Sequence, residues 1–386
     1  MQKKLIALAV AGLASTAAFA QTNVTIYGLV DYGYSYRWDG KNAGSIIPGV
    51  NTGTPNSQSQ LNGGQQSGNR LGFKGTEDLG NGLKAVFLLE QGFMLDTGMQ
   101  QTSGSQFTRQ AYMGLSGNFG TVVGGRLYTP HYTFVSGLDP FGAGTVGRYN
   151  NVYSPASAVT GSTLMDPVRV DNALAYISPT FLGGLTATLA FSNNAGGQED
   201  SSSNSNNNTV YAGLLQYSNG PIVVGANYHY INGGSRISAI SPTFGIDNVQ
   251  NATIGGSYDF KVAKVMALYS WNDVDYTNVG SGNATLNNYM LGVTAPFGKF
   301  TGKASYIYSD GNRSAGGDAQ QFAVGVDYNL SKRTNLYSAY SFINNDDQRL
   351  NGVGDASNSG AYSATNGYAL PGVFQQGLQV GVRHQF

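Results

Sequence analysis

Apolar and polar residues alternate one for one through the end of the chain, Gly377-Leu-Gln-Val-Gly-Val-Arg-His-Gln-Phe386. Successive side chains of a strand point to opposite faces, so Leu378, Val380, Val382, His384 and Phe386 share one face, with Gln379, Arg383 and Gln385 on the other. Chain ends fray unless something ties them down. A half-apolar strand running to the last residue therefore predicts a paired terminus, one face toward oil and the other toward water. A closed barrel in a membrane satisfies both faces and leaves no backbone edge unpaired.

The same period recurs along the chain. About sixteen segments alternate in this way, from Val24–Tyr36, Arg70–Thr76, Leu83–Phe93, Phe107–Leu115 and Thr121–Tyr128 to Thr334–Phe342 and Gln376–Phe386. An even number places both termini of the chain on one side of the membrane, as closure of the first strand on the last requires. Beyond Phe19 no run of about 18 apolar residues occurs, which excludes transmembrane helices and leaves strands as the way across. Short turns such as Gly117-Asn-Phe-Gly120 and Pro296-Phe-Gly-Lys299 alternate with long Gly/Ser/Asn-rich loops, among them Arg37–Asn69, Asn193–Asn208 and Ile343–Phe374. Short connections on one side and long ones on the other are the asymmetry of an outer-membrane barrel. A soluble sandwich also alternates. It does not explain one apolar face on so many strands, or paired aromatics at strand ends such as Tyr228/Tyr230, Tyr258/Phe260 and Tyr306/Tyr308.

Composition narrows the function. With 55 Gly, 25 Tyr, 18 Phe and only 11% charged residues, the chain still has 41% hydrophobic residues, too many for disorder. There is no cysteine, which fits export through an oxidising periplasm and removes thiolate metal sites and cysteine nucleophiles. Lys3 and Lys4 precede an apolar run from Leu5 to Phe19 that ends in Ala18-Phe-Ala20, so residues 1–20 read as a secretory signal and 21–386 as one barrel domain. Taking Lys3 and Lys4 from the 21 basic residues leaves 19 against 21 acidic ones, a net charge that argues against nucleic acid as a partner.

The segments Val24-Thr-Ile-Tyr-Gly-Leu-Val-Asp31, Arg70-Leu-Gly-Phe-Lys-Gly-Thr-Glu-Asp-Leu79, Arg109-Gln-Ala-Tyr-Met-Gly-Leu115, Phe119-Gly-Thr-Val-Val-Gly-Gly-Arg126 and Gly381-Val-Arg-His-Gln-Phe386 occur here in order. In them the chain resembles the trimeric general porins of Gram-negative outer membranes, most closely the β-proteobacterial branch. The resemblance implies an all-β transmembrane antiparallel β-barrel of 16 strands, a long third loop folded into the lumen, and a homotrimer among outer-membrane lipid and lipopolysaccharide. It implies that Phe386 is a signal read by the barrel-assembly machinery. It also makes the stretch between Tyr128 and Asn172 the constriction loop, with Leu138-Asp-Pro-Phe-Gly142 where the family carries an acidic Pro-Glu-Phe-Gly-Gly sequence. The order of acid and proline is changed here, which alters where Asp139 is aimed.

Opposite that loop the family arrays basic side chains. Arg70, Arg109 and Arg126 occupy matching positions, Lys74 shares the face of Arg70, and Arg148 and Arg169 are further candidates. Opposite charges about 10 Å apart interact at roughly 0.4–1.7 kcal/mol for effective dielectrics of about 80 to 20, enough to bias ions without excluding either sign. The expected function is a water-filled diffusion channel for ions and small hydrophilic solutes, weakly selective toward anions. A substrate-selective channel and a barrel-anchored adhesin remain alternatives at this point.

Other chemistry is poorly represented, and neither a cofactor nor an enzyme activity is expected. Gly142-Ala-Gly-Thr-Val-Gly147 spells a dinucleotide fingerprint, but lacks the preceding strand and following helix that give the motif its mechanism. His131, His229 and His384 are widely separated and lack metal-ligand spacing.

Overall fold

The computed structural model describes residues 23–39, 57–153, 167–195, 197, 208–232, 246–276, 283–346, 349, 351–356 and 372–386. The expected signal segment, residues 1–20, lies outside them, as do parts of the expected long loops. The strands are β1 (Asn23–Asp39), β2 (Ser57–Gly63), β3 (Arg70–Gly80), β4 (Leu83–Gly92), β5 (Gln110–Gly117), β6 (Gly120–Tyr128), β7 (Arg169–Ile177) and β8 (Leu185–Ser192). They continue with β9 (Val210–Asn219), β10 (Ile222–Asn232), β11 (Ile246–Asp259), β12 (Lys264–Tyr276), β13 (Ala284–Phe297), β14 (Phe300–Gly311), β15 (Ala319–Asn329), β16 (Thr334–Asn345) and β17 (Gln375–Gln385).

From β3 to β17 each strand pairs antiparallel with the next, β1 pairs with both β2 and β3, and β17 closes on β1 through pairs such as Asp31↔Arg383 and Tyr36↔Leu378. The terminus is tied down as its alternation requires. Phe386 exchanges backbone hydrogen bonds with Gly28, at 3.1 and 3.0 Å, and its ring lies where a Cβ on Gly28 would sit.

Seventeen segments make a closed barrel of 16 strands because β2 and β3 share one position. The first half of β1 pairs with β3, Asn23↔Thr76 to Leu29↔Arg70, and its second half with β2, Tyr32↔Gly63 to Trp38↔Ser57. The expected loop Arg37–Asn69 is corrected accordingly. Ser57-Gln-Ser-Gln-Leu-Asn-Gly63 carries no alternation of its own. What makes it a strand is the backbone of β1, which otherwise has a row of unpaired donors and acceptors.

Alternation decides the two faces. On β13, Leu291 is 59% exposed and Tyr289 46%, whereas Met290 between them is 4% exposed. The exposed set, including Val24, Ile26, Met113, Leu174, Leu189, Leu215, Ile254, Phe322 and Val380, forms the apolar outer band that a bilayer would cover. No described helix is long and apolar enough to cross a membrane. Turns at one end are tight, with Phe297↔Phe300 and Gly117↔Gly120 paired directly across them.

The connection from β6 to β7 holds helix α1 (Pro130–Leu138) and the short turn of helix α2 (Asn150–Tyr153). Helix formation there is local chemistry. The Thr129 hydroxyl accepts from the Tyr132 N–H at 3.0 Å, and Pro130 supplies a preset φ at the first helical position. Buried His131, Phe134, Val135 and Leu138 recur at helical spacing, while Thr133 and Gly137 on the other side are exposed. The buried stripe meets the inner wall. Phe134 sits over Gly225 of β10, Leu138 over Gly255 of β11, Pro140 over Gly292 of β13, and Phe141 over Gly325 of β15. The largest apolar cluster among the described residues is therefore formed between this connection and wall residues Leu268, Met290, Ile307, Ala323 and Ile343.

Candidate functional site

Antiparallel register gathers charge beside that connection. Leu29 faces Arg70, Gly72 faces Glu90 and Glu90 faces Gln110, so Arg70 and Glu90 both lie on the inner face. Glu90 is buried and accepts from Arg109 Nε at 2.7 Å and from the Tyr27 hydroxyl at 2.9 Å, with Arg70 Nη1 3.9 Å away. Arg109 Nη2 and Arg169 Nη2 both donate to the Tyr128 hydroxyl, at 2.7 and 3.1 Å. The Arg169 guanidinium also covers the Tyr128 ring at 4.7 Å, and Tyr132 of α1 stacks on that ring at 5.1 Å. Arg109 links Glu90, which Arg70 also approaches, to Tyr128, which Arg169 also contacts, so three arginines gather about one tyrosine and one carboxylate. The acid is the most deeply buried partner, while Arg70 and Arg169 keep part of their surface toward water.

The remaining residues singled out in the sequence go elsewhere. Lys74 lies on the inner face and is exposed, its Nζ 5.3 Å from the centre of the Tyr27 ring. Arg126 is opposed to Ala111, next to a register shift between Gly125 and Leu127. Its guanidinium bonds to the Thr108 carbonyl and to Asp171, none of which belongs to the Tyr128 group. Arg148 donates to Asn151 Oδ1 at 3.0 Å and to the Asp355 carbonyl, joining its segment to the β16–β17 connection.

Asp139 does not present a free carboxylate to the lumen. It caps α1, and its oxygens accept from the backbone N–H groups of Phe141, Ala143 and Tyr149 at 3.0, 2.9 and 3.1 Å. Burial outweighs these bonds and pushes its pKa up to about 6. With the acid ahead of the proline, the side chain folds back on its own turn.

Sequence reading missed several participants. Arg37 and Asp355 form a buried ion pair at 2.5 Å that also receives Gln379 Nε2. Arg349, fully buried, donates to the Val152 carbonyl, the Ser309 hydroxyl and the Ala315 carbonyl; burial lowers its pKa to about 10. His131 and His229, distant in sequence, meet edge to face at 5.1 Å behind α1. Among the described residues no group of three or more candidate metal ligands occurs. Asp273 and Asp275 are committed to Asn283, Thr285 and Asn248. Arg37–Asp355, Arg349–Val152 and His131–His229 join segments far apart in the chain, which leaves no mark on local periodicity.

The closed barrel has counterparts among known proteins. The family model described as Gram-negative porin matches residues 7–348. The chain belongs to the Gram-negative porin family. Outer membrane porin protein 32 of Delftia acidovorans is 32% identical over 387 residues, covering 100% of both chains. An outer membrane porin protein of Bordetella pertussis is 30% identical over 381 residues, covering 89% of this chain and 95% of that one. Among solved structures, an anion-selective porin from Comamonas acidovorans superposes with a TM-score of 0.76 at 29% identity, covering 95% of this porin and all of that chain. The porin is accordingly an outer-membrane protein.

Proposed function

We propose that this porin is a general diffusion channel in which the β6–β7 connection narrows the lumen and Arg70, Arg109 and Arg169 bias passage toward anions. The observation that carries the reading is the charge imbalance around Tyr128, three guanidinium groups against the single carboxylate of Glu90. A net excess of two positive charges biases a passing ion about 10 Å away by roughly 1–3 kcal/mol for effective dielectrics of about 80 to 20. Salt screens this, with a Debye length of about 8–10 Å at physiological strength, so selectivity should weaken as salt rises. Hydrophilic solutes pass unchanged if narrow enough, and apolar ones are held back by the cost of shedding water.

By similarity to its family the porin works as a homotrimer set in lipid and lipopolysaccharide, and Phe386 serves as the mark by which the assembly machinery takes up the strand. Zero-current potentials across planar bilayers in a salt gradient test the channel. Wild-type protein should open stable pores with a weak anion preference, and an absence of pores or a strong cation preference would overturn the reading. R70Q/R169Q, which removes two positive charges, should move the preference toward cations. R109Q by itself leaves Glu90 buried without its closest partner, at a cost of about 3–5 kcal/mol, so neutralisation there calls for E90Q/R109Q. That pair removes one charge of each sign and should leave selectivity nearly unchanged.

A further inference from the structure

Between its pairs with Arg70 and Gly63, β1 has only Val30 and Asp31, yet the partner position holds six residues, Gly64–Asn69. The surplus leaves the sheet and turns onto the inner face, where Gly64, Gln65, Gln66, Gly68 and Asn69 are buried. Asp31 gathers the whole excursion. Its Oδ2 accepts from the N–H groups of both Gln66 and Ser67 at 2.6 Å, its N–H donates to Asn69 Oδ1 at 2.6 Å, and its carbonyl accepts from Gly64 N at 2.8 Å. Its Oδ1 accepts from the Tyr337 hydroxyl of β16 at 2.6 Å.

The far side of the excursion carries the tip of the β6–β7 connection. Gln65 O accepts from Thr145 N at 2.7 Å and from Ala356 N at 3.2 Å. Gln66 spans to Asp327 and Asn335 at 2.9 Å each, and a Cβ on Gly144 would lie 1.9 Å from Gln66 O. The tip needs such support. Ala143 and Thr145 both have φ of +58°, which for a β-branched residue such as Thr145 is a strained conformation that persists only where the surroundings impose it. Ala143 is held by Asp139, and Thr145 by Gln65.

We propose that Asp31 is a positioning residue for the channel: it holds Gly64–Asn69 as a fixed pier on which the strained tip of the β6–β7 connection docks. This rests on that connection forming the constriction. With the pier loosened, Thr145 N–H loses its acceptor, the backbone relaxes toward negative φ, and the free end of the connection moves within the current path.

Single-channel recording of D31A, D31N and Y337F tests this, on protein whose folding is confirmed by heat-modifiable migration. D31A should show a severalfold rise in open-channel current noise and sub-conductance steps. D31N, which keeps a carbonyl oxygen for the two N–H groups, should stay nearer wild type, and Y337F should fall between wild type and D31A. Quiet wild-type records from folded D31A and Y337F would overturn the proposal. Should D31A fail to fold, Y337F decides alone, since it deletes one hydroxyl. G142D separates this from the reading beneath it. Gly142 is exposed at the tip with nothing within 4 Å of its Cβ position; its φ of +60° strains any side chain, Asn and Asp least, so G142N carries the same backbone strain without the charge and is the reference for G142D. A shift of G142D toward cations with no added noise in the Asp31 and Tyr337 variants overturns the pier alone; an unshifted G142D removes the connection from the current path and the pier with it.

Discussion

A single methyl group on the wall should narrow the channel. Gly292 lies on the inner face of β13 beneath Pro140, and a Cβ built on it would come 2.5 and 2.7 Å from Pro140 Cγ and Cδ. Carbon atoms in ordinary contact sit about 3.5–4.0 Å apart, so G292A creates an overlap of roughly 1 Å or more. The wall yields little, because β13 is hydrogen-bonded to β12 on one side and β14 on the other. The proline ring has no rotamer to escape into, and Asp139 before it is fixed by three backbone N–H groups. The connection must therefore lift about 1 Å into the lumen, at an overpacking cost of about 1–3 kcal/mol, which a closed barrel tolerates. Single-channel conductance should fall, and swelling rates of proteoliposomes in neutral sugars should decline more steeply with sugar size. G213A is the control, since a Cβ there meets only Leu189 Cδ2 at an ordinary 3.6 Å. Wild-type conductance and sugar discrimination in folded G292A would refute the placement of this connection at the narrowest point.

Two further perturbations probe the same frame. Because the Asp139 carboxyl titrates near 6 rather than at its usual 3.8, the folded protein holds a proton between those pH values that the unfolded chain has released. Stability should therefore decline as pH rises from about 4 to 6, by up to about 3 kcal/mol at about 1.4 kcal/mol per unit, and level off above. D139N should flatten that slope in heat-unfolding midpoints, and an unchanged slope would assign it to another group. Deleting Phe386 removes two backbone hydrogen bonds to Gly28, each worth about 1 kcal/mol, and an aromatic ring from the closing seam. The yield of assembled protein should drop while conductance per assembled channel stays the same; normal assembly would count against the terminal residue as a signal.

Much of the barrel is legible in sequence because strand burial is a local, period-two property. Leu378, Val380, Val382 and Phe386 face outward and Arg383 inward, as parity alone predicts, and Arg70 lies on the inner face with Lys74. Legibility stops where a family match and parity disagree. Arg126 shares the parity of Gly124, which opposes the exposed Met113, and it bonds to Asp171, although the resemblance matched it to the wall arginines. The α1 helix had a readable signature in Thr129-Pro130 and the apolar spacing of Phe134, Val135 and Leu138. It stands out only once the connection is known to have a wall to pack against.

Alternating polarity, repeated over about sixteen segments, determined by itself that this chain forms a sheet with one apolar and one polar face, because it follows from how one residue's side chain points relative to the next. Tertiary structure alone decided what the lumen presents. Whether an arginine meets water, a buried glutamate or a backbone carbonyl depends on strands far apart in sequence and on the excursion Gly64–Asn69, whose four surplus residues turn inward. Asp139 and Asp31 are both acids beside conspicuous motifs; the fold makes one the cap of its own turn and the other the anchor of Gly64–Asn69.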